Sequence, residues 1–201
     1  MTRTRLMTAL LAPVAVVSLS SCGINSIPTA EEEAKARWAD VQNQYQRRAD
    51  LIPNLVETVK GFAAQEKSVL TAVTEARAKA TSINVTTDDL SNPERLQQFG
   101  QAQNQLTQAL GQLRTVVEAY PDLKSNANFL ALQDQLEGTE NRITIARRDY
   151  NAAVQAYNTR IRTFPDIIGA KVIYGSKPMA TFQATAPNAE RAPTVSFGNS
   201  Q

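Results

Sequence analysis

No histidine occurs anywhere in this 201-residue chain, and cysteine occurs once. The missing imidazole excludes histidine-based catalytic triads, histidine metal ligands and the Glu-x-x-His pairs of di-iron bundles. A lone cysteine cannot close an internal disulfide, so the usual covalent staple of an exported domain is absent. Glycine-rich phosphate loops and the Gly-x-Ser-x-Gly elbow are missing as well. No Val/Ile/Thr alternation runs long enough to argue for a sheet. Carboxylates are the remaining resource for catalysis, and the adjacent acids Asp88 and Asp89 fall in a loop, where a solvated surface is the simpler reading. The chain therefore reads as non-enzymatic, without a metal or a cofactor.

The one cysteine, Cys22, follows Leu19-Ser20-Ser21 and precedes Gly23. Arg3 and Arg5 form a positive start, and an apolar stretch from Leu6 to Leu19 leads to the small residues before the cysteine. That order is an export signal ending in a lipobox, with residues 1–21 removed and Cys22 lipidated as the new N-terminus. The apolar stretch is too short for a spanning helix, which needs roughly 20 residues, and Pro13 interrupts it. Acyl chains contribute about 0.8 kcal/mol per buried CH2, enough for stable anchoring when two or more are present. Cleavage takes two of the 21 basic residues and none of the 19 acids, leaving a neutral mature chain and no electrostatic case for nucleic-acid binding. Gly23, in place of the aspartate associated with inner-membrane retention, favours the outer membrane of an organism that has one.

The mature sequence reads as a linker (22–30), a helical-bundle domain (31–183) and a flexible tail (184–201). Alanine, glutamine, leucine, glutamate and arginine dominate the middle, all favourable to helix. The periodicity predicts three long helices and a short C-terminal one in an antiparallel up-down bundle. The first runs from Glu31 to Ala80, with Trp38, Val41, Tyr45, Ile52, Leu55 and Val59 on one stripe. The second begins at Asn92-Pro93-Glu94, a cap signature, and carries Leu96 to Tyr120. Gln103 is the one polar residue on its stripe. The third spans about 126–163, and a short piece covers 166–171. Fifty helical residues in the first would reach roughly 75 Å, well beyond the others. Either that helix breaks at Pro53 and folds back as a fourth member, or its lower third projects. One proline bends a helix more readily than it reverses it, so projection is favoured, with Trp38, Val41 and Tyr45 as a self-association stripe.

Two segments stand out. The first is RRADLIPNLVETVKGFAAQE, starting at Arg47. The second is TENRITIARRDYNAAVQAYNTRIRTFP, starting at Thr139, in which Tyr150-Asn151 and Tyr157-Asn158 recur seven residues apart and face one side of the helix. Glu140 and Asn141 lie beside the apolar stripe and need hydrogen-bond partners, which Arg47, Asn54 or Glu57 could supply across the bundle. Such a cluster either sets helix register or marks a partner or ligand face made of Arg47, Asn54, Glu57, Glu140, Asn141, Tyr150 and Tyr157.

Both segments resemble the signature regions of the LemA family, and the likeness covers about residues 34–183. The ending Ala192-Pro193-Thr194-Val195-Ser196-Phe197 is also similar to one found in that family. The chain departs from the family at Val172-Ile173-Tyr174-Gly175 and Thr181-Phe182, where other members are richer in aromatics, and at Gln65, where histidine is frequent. The resemblance implies a four-helix bundle displayed outside the cytoplasm from an N-terminal anchor, with no assigned catalytic or cofactor residues. Some members are linked with a membrane zinc protease of the HtpX type, and one branch with magnetosome formation. The expectation is a lipid-anchored envelope scaffold or adaptor, with a protein partner or a second copy of itself. The alternative is a module binding an apolar or amphipathic ligand between the helices.

Overall fold

The computed structural model describes residues 25–183. The proposed leader, Cys22 and the tail from 184 onward lie outside the described residues. The described chain is all helical: α1 (Ser26–Lys60), α2 (Lys67–Ser82), α3 (Pro93–Val117), a short α4 (Pro121–Lys124), α5 (Ala127–Arg160) and a short α6 (Asp166–Gly169) that continues into a π turn, Ala170–Tyr174. A single 3-10 turn, Asp88–Ser91, lies between α2 and α3. Helices α1, α2, α3 and α5 form the four-membered antiparallel bundle. Two of the starts have a local cause. Asn92 caps α3 by accepting from the backbone N–H groups of Glu94 and Arg95, and Asn126 caps α5 by accepting from those of Asn128 and Phe129.

Two expectations about the first helix are corrected. It begins at Ser26, so residues 26–29 are its first turn rather than a linker. It also ends at Lys60, and the chain reverses through 61–66 into α2, which supplies the fourth bundle member in place of the expected projection. Pro53 does not break α1. It is exposed, and the carbonyl of Ala49 that it leaves without a helical donor accepts from Arg77 Nε of α2 at 2.7 Å. The reversal occurs because Leu70 and Val73 find partners only when folded back. They join Ile52, Leu55 and Val59 of α1 with Leu106 and Leu113 of α3 in one apolar cluster. A straight 50-residue helix would leave them in water, at roughly 1.5–3 kcal/mol per large side chain.

A second apolar cluster fills the other half of the bundle. Trp38 and Tyr45 of α1, Phe99 of α3, Tyr150 of α5 and Phe182 pack there ring against ring, with centroids 5.2–5.8 Å apart for five of the pairs. Trp38 is 1% exposed, Val41 0% and Tyr45 6%. These three are core residues, so the self-association stripe expected from their periodicity is corrected. Phe182, on the chain's own C-terminal segment, stacks on Trp38, and Phe99 of α3 packs edge-on against both Trp38 and Tyr45.

Candidate functional site

Between the two apolar clusters lies one polar layer. Arg48 sits on α1 between Tyr45 of one cluster and Ile52 of the other, and is 1% exposed. Its Nη1 donates to Glu140 Oε2 of α5 at 2.9 Å and to Thr107 Oγ1 of α3 at 3.0 Å. Its Nη2 donates to Gln103 Oε1 at 2.7 Å and to the Gln103 carbonyl at 3.2 Å. Gln103 passes the chain of bonds on, donating Nε2 to the carbonyl of Ala80 on α2 at 3.1 Å. One guanidinium and one amide thus connect all four long helices. The Arg48 guanidinium also lies 5.1 Å from the Tyr45 ring centre, a cation–π contact. Such a layer fixes register, because sliding any helix by one turn would orphan a buried donor.

The Tyr-Asn repeats of α5 do something different. Asn158 donates Nδ2 to the Met179 carbonyl at 2.8 Å and accepts from the Met179 N–H at 2.9 Å. Asn151 makes the same pair of bonds with Phe182, at 3.0 and 2.9 Å. Tyr157 OH donates to the Lys177 carbonyl at 3.1 Å, and Tyr150 OH to the Ala180 carbonyl at 2.9 Å. Seven helical residues advance about 10.5 Å and three extended residues about 10 Å, so each repeat meets the strap one repeat further on. Side chains of a helix here serve a peptide segment as the edge of a sheet would. Gly175, at φ 58°, turns the chain from the π turn into this strap, and Ala180 N–H donates to the Leu90 carbonyl at 2.8 Å to close it. Arg147 lies 4.6 Å from the Phe182 ring centre. Burial pushes the Tyr150 phenol well above its ordinary range, and raises Tyr157 and Tyr45 as well.

The predicted polar face is therefore divided. Glu140 joins the polar layer, but its partner is Arg48 and not Arg47, Asn54 or Glu57. Arg47, Asn54, Glu57 and Asn141 are exposed. Tyr150 and Tyr157 are buried and bind the strap. The residue that sequence reading passed over, Arg48, had a signal: Val41, Tyr45, Ile52, Leu55 and Val59 step by four, then by seven, three and four, and position 48 splits the seven in phase. Its adjacent twin, Arg47, is out of phase by 100°. Asn151 and Asn158 were visible as a repeat, without their strap.

A groove of about 260 Å³ opens between α3 and α5. Leu110, Leu113, Phe129 and Leu136 line it, together with Leu55 and Arg48 of α1. Two acids reach it, Glu137 and Glu140, and each is engaged by a guanidinium: Arg114 with Glu137 at 3.5 Å, Arg48 with Glu140 at 2.9 Å. Asp88 and Asp89 are on the 3-10 turn, where Asp89 accepts from the Thr86 N–H and hydroxyl, both at 2.9 Å. Those bonds hold the Asp89 carboxyl below its ordinary value. Among the described residues no group of three acids, cysteines or histidines is placed to hold a metal ion, and no helix is long and apolar enough to cross a membrane.

The sequence pattern of the LemA family matches residues 37–197. Two relatives, Magnetosome protein MamQ 1 and MamQ 2 of Paramagnetospirillum magneticum (strain AMB-1), are each 28% identical over 173 residues, covering 78% of this chain and 64% of their own length. Magnetosome protein MamQ of Magnetospirillum gryphiswaldense is 26% identical over the same span. Protein LemA of Metamycoplasma hominis is 25% identical over 140 residues, 70% of this chain and 60% of that protein. The match spans under two thirds of the length of these relatives. None of their names states an enzymatic activity.

Proposed function

The chain belongs to the LemA family, and from that premise we propose that it is a lipid-anchored, non-enzymatic protein of the cell envelope that works through protein contacts. It serves as a scaffold or adaptor in membrane organisation or envelope quality control, on the extracytoplasmic side. The observation that carries this reading is the family match across the bundle (37–197), joined to the sequence Leu19-Ser20-Ser21-Cys22 just before it. The magnetosome relatives support a role in organising membranes. The polar groups inside the fold support it too, because the buried Arg48 and Gln103 and the half-buried Asn151 and Asn158 are spent on holding helices and strap. The contact face is the exposed stripe of α1 made by Arg47, Asp50, Asn54 and Glu57, at helical spacings of three and four. Its partner is an envelope protein, with a membrane zinc protease of the HtpX type as the first candidate.

Mass spectrometry of the mature N-terminus tests the anchor, with Cys22→Ala as control. An acylated Cys22 is expected; a soluble chain starting elsewhere would remove the reading. A photo-crosslinking residue at Asn54, activated in native membranes, tests the face. A discrete adduct with an envelope protein is expected, and a bare monomer from every preparation would count against a contact role.

The groove between α3 and α5 favours a second reading, a module holding an apolar or amphipathic ligand. A Cβ added to Gly111, which lines that groove, would meet nothing within 4 Å. Gly111→Leu is therefore expected to displace any acyl ligand that native mass spectrometry finds on the purified chain. An empty wild-type chain would end this reading.

A further inference from the structure

Five of the eight large apolar side chains that stay exposed among the described residues lie between positions 164 and 174. Phe164 is 80% exposed, Ile168 57%, Val172 79% and Ile173 59%, with Tyr174 beside them. Ile168 lies on α6 and Val172 and Ile173 on its π extension, while Phe164 stands in the turn just before α6, so one short segment carries them all. A water-facing surface of this kind is unusual and marks a contact. Nothing within the described chain covers it.

Its position says what does. Ser26, at the start of α1, donates its hydroxyl to Asp166 Oδ2 of α6 at 2.7 Å. The apolar end of the bundle is thus the end where the chain enters from residues 1–25. Cys22 is four residues before Ser26, a reach of about 14 Å at most. Residues 160–177 also carry Arg160, Arg162, Lys171 and Lys177 against one acid, Asp166. Exposed apolar side chains on a segment with an excess of positive charge, next to an acylated residue, fit the headgroup boundary of an anionic bilayer.

We propose that Phe164, Ile168, Val172 and Ile173 form a lipid-contacting foot, seated in the anionic membrane interface beside the anchor. The inference rests on the anchored reading above for its geometry. The bundle then stands on this end, with α1 and α5 rising from the membrane and the 61–66 turn farthest from it. The α1 stripe runs up the side of the post, within reach of other membrane-bound proteins.

The test uses the full acylated chain in vesicles of phosphatidylcholine and phosphatidylglycerol at a 3:1 ratio. With Cys22 blocked by lipid, a single thiol at Lys171→Cys or, at the far end, Glu118→Cys takes an environment-sensitive fluorophore. The label at 171 is expected to shift to the blue and to be quenched by interface-depth spin-labelled lipid, while the label at 118 is not. Phe164→Ser/Ile168→Ser/Val172→Ser is expected to abolish the 171 signal while the chain still floats with the vesicles. Lys177→Glu, which leaves the apolar residues in place, is expected to weaken quenching in anionic vesicles only. A floating chain whose 171 label stays as wet as 118 overturns the foot and leaves the anchor standing. A blue shift without vesicles that grows with protein concentration also overturns it, in favour of a second copy. If Cys22 proves unacylated, the Cys22→Ala chain decides: vesicle-dependent quenching at 171 supports the foot, and none overturns it.

Discussion

Arg77 donates its Nε–H at 2.7 Å to the carbonyl of Ala49, the acceptor that Pro53 leaves without a helical donor. Ala49 is buried, so an empty carbonyl there would cost about 1–3 kcal/mol. The proline thus opens a docking point on α1, and α2 fills it. A residue that reads as a helix breaker serves here to attach the neighbouring helix.

Arg77→Ala is expected to lower stability by about 1–3 kcal/mol in the parent chain. In a Pro53→Ala background the residue at 53 regains its N–H and satisfies Ala49, so the same substitution should cost clearly less. Urea denaturation of the two single variants and the double variant measures the coupling. Independent, additive effects would dismiss the link.

The Arg48 layer predicts an unequal pair of effects. Glu140→Ala leaves a buried guanidinium with neutral acceptors only, a loss of about 3 kcal/mol or more. Arg48→Met removes the buried charge itself and leaves Glu140, which is 48% exposed, to water. Its cost is limited to the orphaned Gln103 Oε1, about 1–3 kcal/mol, because the Thr107 hydroxyl still donates to the Gln103 carbonyl at 3.1 Å. Equilibrium unfolding should rank Glu140→Ala as the more damaging of the two.

The strap needs amides, because each asparagine both donates and accepts. Asn158→Asp keeps the size but cannot donate to the Met179 carbonyl, and sets a carboxylate against it. Hydrogen exchange at the Met179 N–H should then speed up, together with proteolysis within 177–183. Tyr157→Phe, which loses one bond to Lys177, should do less. Gly175→Ala costs about 1 kcal/mol for its left-handed conformation alone, since its Cβ would meet nothing within 4 Å.

Alkaline pH should loosen the same region. The phenols of Tyr45, Tyr150 and Tyr157 ordinarily ionise at 10.0, and burial raises all three in the folded chain. Below that pH both states are protonated and the stability is fully present. As pH rises beyond about 10 the unfolded chain loses these protons first, so stability falls until the native phenols ionise. Each adds at most about 1.4 kcal/mol per pH unit. Denaturation midpoints between about pH 9 and 12 should show a shallower decline for Tyr150→Phe than for the parent.

Local chemistry by itself determined the helical class, the capped start at Asn92, the helix beginning near position 126 and the common face of the Tyr-Asn repeats. Those depend on capping, propensity and a 3.6-residue period, which act over one or two turns. Gln103 was visible too, as a polar residue on an apolar stripe, and Arg48 could have been found by phase. Tertiary structure alone decided that the first helix ends at Lys60 and not Pro53, because Leu70 and Val73 gain partners only after a reversal. It also decided that Trp38, Val41 and Tyr45 are core, since Trp38 and Tyr45 meet Phe99 of α3 and Trp38 also meets Phe182, more than 130 positions away. An extended strap carries no periodic signal of its own. Its place is set by side chains on another element, and only the folded bundle brings the two together.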